Sequence, residues 1–306
     1  MGTPQFAVPS LERLVQAGHD VSAVYTQPDR PKGRGGRLMA SPIKEAALRM
    51  GLEVRQPERV RRPEVVADLA ALGTDAMVVV GYGQIIPQAI IDLPKHGIVN
   101  VHASLLPKYR GAAPIQWSIA NGETLTGVTT MRIDAGLDTG DMLLKWETVI
   151  DHDEDALHLG ARLAEAGADL LIRTLDGIAA GAIAPTPQDN TQATYAPILK
   201  KEDGLIDWNL PANVIFNRCR GLLPWPGTWT RLRGQIFHIW KSQVAETASA
   251  AAPGTVFADG RRLLVHCGVA TTLELLEVQL EGRKRLPAAM FLNGWRPEPG
   301  EELGKS

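Results

Sequence analysis

Apolar positions recur with two different periods between residues 7 and 182, and their alternation is the mark of a parallel sheet flanked by crossover helices. Residues 9–17 place Leu11, Leu14 and Val15 on one helical face, and residues 21–25 have the length of a short strand. Ser41 stands as an N-cap ahead of Pro42 at the first helical position. Residues 62–72 read as a helix. Met77, Val78, Val79 and Val80 form a continuous apolar run of the kind buried on both faces of a sheet, ended by Gly81 and Gly83. The pattern then predicts a strand over 98–102, a helix over 114–120, an antiparallel pair over 127–133 and 142–150, and a long helix over 155–180.

Between 184 and 207 the text changes to Pro, Thr, Gln and Asn, which cannot bury a core and reads as a linker. Beyond it a helix over 212–220 precedes short strands at 228–232, 236–244, 254–257, 262–265 and 273–278, a spacing that suits a small barrel. Three segments follow: 1–183 as an α/β domain, 184–207 as linker and 208–306 as the small β-domain. No internal repeat is visible.

The 306 residues exceed the usual size of one domain, which agrees with two cores. With 44% hydrophobic residues and no apolar run near the roughly 18 residues needed to cross a bilayer, a membrane protein and a disordered tail are both excluded. Lys and Arg number 32 against 34 Asp and Glu, a net charge of −2, so any basic site is local. Residues 1–200 carry 19 basic and 23 acidic side chains and residues 201–306 carry 13 and 11, leaving the C-terminal part the more basic. Cys219 and Cys267 lack zinc-site spacing and are too few for a disulfide framework, which fits a reducing cytoplasm. The first residues, with Pro4, Pro9, Glu12 and Arg13, lack the basic start and apolar stretch of a secretory signal.

Three stretches could carry chemistry. In residues 97–107 side chains alternate across a strand, so Val99 and Val101 share one face while Asn100 and His102 share the other. The segment from Ser104 to Gly111, broken by Pro107, then marks the carboxyl end of the strand, where open α/β sheets build their sites. Satisfaction of both polar groups by loop backbone is the alternative, and the segment alone does not choose. Residues 134–141 form a loop with glycines at 136 and 140 and carboxylates at 134, 138 and 141. Alone it reads as a solvated turn. Together, an amide donor, an imidazole and a carboxylate, with no Ser or Cys nucleophile constellation, suit direct transfer of an acyl group to an amine.

The third stretch, residues 27–38, holds Arg30, Lys32, Arg34 and Arg37 with three glycines among them. It reads as a flexible basic loop, either a solvated connector or a segment that tracks a phosphate backbone. Walker spacing is absent and Gly81-Tyr82-Gly83 lacks the third glycine of a dinucleotide fingerprint, so ATP and NAD are not expected. Arg231 with Arg233, and Arg283, Lys284 and Arg285, could give the C-terminal part a basic face. Trp208, Trp225, Trp229 and Trp240 read as packing residues.

The segments Gly2-Thr-Pro-Gln-Phe-Ala-Val-Pro, Gln27-Pro-Asp-Arg-Pro-Lys-Gly-Arg-Gly, Val80-Gly-Tyr-Gly-Gln-Ile-Ile-Pro, Asn100-Val-His-Ala-Ser-Leu-Leu-Pro-Lys-Tyr-Arg-Gly, Gly136-Leu-Asp-Thr-Gly-Asp and Lys200-Lys-Glu-Asp-Gly-Leu-Ile-Asp-Trp resemble the methionyl-tRNA formyltransferase family over nearly the whole chain. Asn100, His102 and Asp138 alone would mark only the wider class of formyltetrahydrofolate-using enzymes, which includes glycinamide ribonucleotide and sugar-nucleotide formyltransferases. The resemblance implies a Rossmann-like, mostly parallel sheet of the formyltransferase fold with a small OB-like β-barrel that binds tRNA. It implies transfer of a formyl group from 10-formyltetrahydrofolate to the α-amine of methionyl initiator tRNA in the cytoplasm, by a monomer that needs no metal.

In that reading Asn100 and His102 stabilise the oxyanion, and Asp138 orients His102 and helps a water carry the proton. Ser104, Leu105, Leu106 and Pro107 resemble the folate-binding stretch. Backbone around Tyr82, Gln84, Ile85, Ile86 and Gly136 would hold the pterin, and Arg30, Lys32, Arg34 and Arg37 would meet tRNA. The resemblance also implies a strand ahead of Gly2. Met1 stands directly before it, so a gap is expected in the inner sheet and a native start several residues upstream. Two rivals are a sugar-nucleotide formyltransferase and a non-catalytic RNA-binding protein on an enzyme fold; the presence of all three polar residues opposes the second.

Overall fold

The computed structural model describes residues 1–32, 37–247 and 251–305, the side chains of Lys32 and Arg37 excepted. It divides into two units, one of Met1–Pro114, Leu125–Val149 and Gly160–Pro197, the other of Ile115–Thr124, Ile150–Leu159 and Ile198–Ser306.

In chain order the first part of the molecule is α1 (Val8–Gln16), β1 (Val24–Tyr25), β2 (Arg30–Lys32), β3 (Arg37–Met39), α2 (Pro42–Arg49), β4 (Val54–Arg55), α3 (Pro63–Ala71) and β5 (Met77–Val79). There follow α4 (Gln88–Ile91), β6 (Ile98–His102), β7 (Arg110–Gly111), α5 (Pro114–Ala120), β8 (Leu125–Arg132), β9 (Met142–Val149), α6 (Ala156–Ala179) and β10 (Tyr195–Ala196). The Ser41 hydroxyl accepts the Lys44 backbone N–H, the cap that Pro42 foreshadows. The strand expected over 21–25 shrinks to Val24–Tyr25, and the basic stretch is bounded by the hairpin of β2 and β3.

β1 pairs with β4 and β5 with β6 in parallel, and β6, β8 and β9 continue as antiparallel neighbours. Between β1 and β5 runs the backbone of Met1 and Gly2: Gly2 N–H donates to Tyr25 O at 3.0 Å and Val80 N–H to Met1 O at 2.9 Å. Beside Met1 lies a cavity of about 670 Å³, lined by Leu11, Val24, Leu69, Met77 and Leu175 among others.

Helix α6 covers one face of this sheet. At Gly167 a Cβ would come within 2.9 Å of Val101 Cγ1, so the missing side chain is what lets the helix lie so close. Thr174 on α6 and Thr130 on β8 share a buried hydroxyl contact of 2.8 Å on that face. Asn100, His102 and Thr129 therefore point to the opposite face, where the site is built.

The second unit contains α7 (Ala212–Gly221), β11 (Thr228–Leu232), β12 (Gln235–Ala245), β13 (Val256–Asp259), β14 (Arg262–Cys267), β15 (Thr271–Leu280), β16 (Leu286–Pro287) and α8 (Ala288–Phe291). Its strands form a six-stranded antiparallel sheet in the order β11-β12-β15-β14-β13, with β16 on β15. Ile215, Phe237, Ile239, Leu263, Leu273 and Val278 fill its core. Among the described residues, the pairing leaves β11 and β13 as the two ends of the path, so strand pairing does not close the sheet. Strand spacing gives the number of strands and says nothing of whether the first meets the last. Residues 150–159 join this unit through Arg220, which donates to the carbonyls of Asp151 and Glu154, and through His152 stacked on Phe216. Among the described residues, no helix is long and apolar enough to cross a membrane.

The fold addresses the site through Thr129. Its buried hydroxyl donates to Ser104 O at 2.7 Å and accepts from Leu106 N–H at 3.2 Å, tying the loop after β6 to β8. Thr129→Val keeps the shape and strands both backbone groups, so urea unfolding should show a loss of about 1–3 kcal/mol. A loss below about 0.5 kcal/mol would mean that the loop is held by other bonds.

Candidate active site

His102 ends β6 with a side chain only 6% exposed, and Asn100, at 8%, precedes it on the same face. His102 Nε2 lies 2.9 Å from Tyr109 O. A carbonyl oxygen only accepts, so Nε2 carries the hydrogen. Nδ1 is then the nitrogen turned toward the carboxylate of Asp138, whose Oδ2 is 3.7 Å away.

Asp138 reaches that position by a detour. His102 pairs with Thr129, while β8 runs on to Arg132 beside Val99, so the strand leaves the imidazole behind by three residues, or about 10 Å. The loop 133–141 has to fold back over this distance. Its three acidic residues divide the work: Asp134 closes the loop on itself, its carboxylate accepting from Gly136 N–H at 3.0 Å and Thr139 Oγ1 at 2.8 Å. Asp141 receives Arg132 N–H on its carbonyl at 2.9 Å, and Asp138 is left to face His102. Asp138 adopts φ +51°, a left-handed conformation costly for a residue with a Cβ. Its Oδ2 accepts the Gly111 N–H at 2.8 Å.

The segment 104–111 is shaped from within. Ser104 is fully buried and its hydroxyl donates to Lys108 O at 2.6 Å. Leu106 is buried, Leu105 and Pro107 are half-buried, and Lys145 Nζ donates to Leu106 O at 2.7 Å. Tyr109, Arg110 and Ala112 are fastened to a distant stretch: Tyr109 N–H donates to Thr194 Oγ1, Arg110 N–H to Thr194 O and Ala112 N–H to Ala196 O, each at 2.9 Å.

After β5, the side chains of Tyr82 and Ile86 sit in the core with Ile90 and Ile98. Burial pushes the Tyr82 phenol up to about 12. Gln84 is turned away to the loop before α3, accepting from Val60 N–H at 2.7 Å and donating to Pro57 O at 3.2 Å. Ile85 is 89% exposed and Leu137, next to Asp138, 60%. Arg30 is exposed on β2; Arg34 lies outside the described residues, as do the side chains of Lys32 and Arg37.

Structure thus brings His102 to Asp138 and sets Asn100 beside them on β6, and it adds residues that sequence reasoning missed. Arg110, Gln188, Thr194 and Thr129 all bond to the site's loops. Arg110 and Gly111 lay inside a quoted motif, whereas Gln188 and Thr194 fell in the polar stretch with nothing periodic to mark them. No group of three or more His, Cys, Asp or Glu among the described residues is placed to hold a metal ion.

Comparison with known proteins gives this site a setting. Residues 1–175 match the formyl transferase family and residues 198–296 the formyl transferase C-terminal domain. A methionyl-tRNA formyltransferase of Solibacter usitatus is 66% identical over 305 residues, covering 100% of this chain and 97% of the relative. One of Koribacter versatilis is 57% identical over 305 residues, covering 99% and 97%. Among solved structures, WlaRD, a sugar 3N-formyl transferase determined in the presence of dTDP and 5-N-formyl-THF, superposes with a TM-score of 0.67 at 19% identity, over 92% of this chain and 97% of that one. An N-formyltransferase from Helicobacter canadensis, in complex with folinic acid and dTDP-3-aminofucose, gives 0.66 at 18%, over 90% and 96%. At such identities these two establish a shared fold.

Gly111 has φ +115°, and a Cβ there would lie 2.7 Å from the Ala196 carbonyl oxygen; Gly18 has φ +83° with nothing within 4 Å. Gly18→Ala should cost about 1–2 kcal/mol in chemical unfolding, the conformational part alone. Gly111→Ala should cost about 1–3 kcal/mol more, because backbone must move. Equal losses would remove the close approach of Gly111 to β10 from the account.

Proposed function

The chain belongs to the methionyl-tRNA formyltransferase family, and from that we infer that it transfers the formyl group of 10-formyltetrahydrofolate to the α-amine of methionine carried by initiator tRNA. The observation that supports the chemistry is the facing of His102 Nδ1 and Asp138 Oδ2 at 3.7 Å, with Asn100 on the same strand face.

When bound, the folate supplies the formyl carbon and accepts a proton on its departing nitrogen. The chain's own residues do the rest. Asn100 donates its amide N–H to the formyl oxygen as the amine adds and the oxygen becomes an oxyanion. His102 turns its Nδ1 edge toward the same oxygen, since its Nε2 hydrogen is spent on Tyr109. Asp138 orients the imidazole and holds a water that passes the ammonium proton to the folate nitrogen as the old carbon–nitrogen bond breaks. The arrangement fits a folate: Ile85 and Leu137 are exposed apolar surface, and the irregular backbone of 82–86 and 135–138 can offer amide-like bonds to a pterin. Ser104, Leu105, Leu106 and Pro107 shape the other wall of this reading.

The basic stretch with Arg30, Lys32, Arg34 and Arg37 meets tRNA phosphates, and the C-terminal sheet, read as an OB-like barrel, carries further tRNA contact. This assigns 1–183 to catalysis, 184–207 to a connection whose Gln188 and Thr194 also hold the loops of the site, and 208–306 to tRNA binding, in a monomer of the cytoplasm.

Labelled formyl should pass from 10-formyltetrahydrofolate to charged initiator tRNA and much less to a charged elongator tRNA, with an amino-sugar nucleotide as a third acceptor. Preference for the sugar would replace this reading with its rival. His102→Ala should lower turnover by about two orders of magnitude or more, with folate affinity little changed. Near-normal turnover would remove His102 from the chemistry. Arg34→Ala combined with Arg37→Ala should weaken charged tRNA and flatten the salt dependence of its binding; an unchanged slope returns the stretch to a solvated connector.

A further inference from the structure

We propose that Gln188, locked by the buried guanidinium of Arg110, is a positioning residue that holds Asp138 against His102. The proposal rests on the formyl-transfer reading for its consequence and on hydrogen bonds for its geometry. Gln188 Nε2 donates both its hydrogens to the 133–141 loop, to Asp138 O at 2.8 Å and to Gly140 O at 2.7 Å. Its Oε1 accepts from Arg110 Nε at 3.0 Å and Nη2 at 2.8 Å. The chemistry leaves one orientation of this amide: guanidinium hydrogens need the oxygen, and two carbonyls need the NH₂.

Arg110 is itself fixed. Its side chain is 2% exposed, and Nη2 also donates to Asn190 Oδ1 at 2.8 Å. Asp189, between Gln188 and Asn190, accepts from Thr191 N–H, Thr191 Oγ1 and Gln192 Nε2. Those bonds, that of the Thr191 hydroxyl foremost, hold its carboxyl below the usual range. The turn that presents Gln188 is therefore closed on itself.

Asp138 needs such support. A left-handed φ at a residue with a Cβ persists only where its surroundings over-determine it. Three bonds do so here, two from Gln188 to the loop backbone and one from Gly111 N–H to the carboxylate. Residues 109–111 serve every member at once: Tyr109 O takes the His102 hydrogen, Arg110 takes Gln188 and Gly111 takes Asp138. The 188–196 stretch braces the same three residues from behind through Thr194 and Ala196. A release of Gln188 frees the loop, and Asp138 drifts from His102.

The test is a double-mutant cycle in the full chain. Gln188→Ala should lower kcat roughly ten- to a hundredfold, the cost of a misplaced catalytic group, with KM for both substrates within about threefold. In an Asp138→Ala background the same change should cost nothing further, because the residue acts through Asp138. Gln188→Glu keeps an acceptor for Arg110, and so the fold, but loses both donors; it should match Gln188→Ala in kcat. The ¹⁵N resonances of the His102 imidazole supply a readout independent of turnover, and in Gln188→Ala they should move to those of Asp138→Ala. Wild-type resonances in that variant, or a kcat penalty that persists in full without Asp138, would overturn the proposal. Absence of formyl transfer by the wild-type chain would instead overturn the functional reading, and the resonances would still judge the clamp.

Discussion

A carboxylate has to be carried back about 10 Å along a sheet to meet an imidazole, and the site is organised around that requirement. β6 delivers Asn100 and His102 by strand alternation, at no conformational cost beyond the strand itself. Asp138 has no such rail. It rides on a loop that leaves β8 at the wrong end and returns in a left-handed turn, so its place is fixed only by what grips it. The grip comes from backbone and neutral amides: Gly111 N–H on the carboxylate, and the Gln188 amide on two carbonyls. Those donors leave the formal charge on Asp138 uncancelled, which a Lys or Arg in the same position would not. The anion stays available to His102.

The same constraint explains the conformation of residues 104–111. Tyr109 must offer its carbonyl to His102 and Gly111 its N–H to Asp138, two residues apart, and this takes φ values of +60° and +115° at those positions. β10 fits against this stretch so closely that position 111 has no room for a Cβ. Strain in one loop is thus balanced by hydrogen bonds from another that is eighty residues later in the chain.

How legible this was depends on the reach of each signal. Strand alternation put Asn100 and His102 on one face correctly, and Ser41 with Pro42 marked a helix start that the structure keeps, because both are effects within a few residues. The long helix ends within a residue of its expected bounds, since its 3.6-residue period extends over 24 residues. The antiparallel pair of β8 and β9 was legible for a similar reason. Asp138 stood out only beside its two glycines and alone read as a turn. Gln188 and Thr194 had no local pattern: their significance lies in partners 50 and 85 residues away, and a polar, proline-containing stretch looks the same whether it is solvated or braced against a site. The arrangement of the second unit was half legible. Five strands and a helix were foreseen, but the recruitment of residues 150–159 through Arg220 was not, since a main-chain carbonyl as a partner leaves no trace in residue types.

The polar tips near the site are largely spent within the protein, and this shapes what a ligand can meet. Ser104 is bonded to Lys108 O and Gln84 to Val60 and Pro57, while the Tyr82 hydroxyl is buried in the core with Ile86 and has no hydrogen-bond partner there. What these segments can still offer is main-chain N–H and C=O from irregular backbone, together with the exposed Ile85 and Leu137. In the proposed reading, such a surface would meet a flat, amide-like ring through backbone groups and apolar contact. In the proposed transfer, side-chain chemistry falls to Asn100, His102 and Asp138, of which His102 and Asp138 face each other at 3.7 Å.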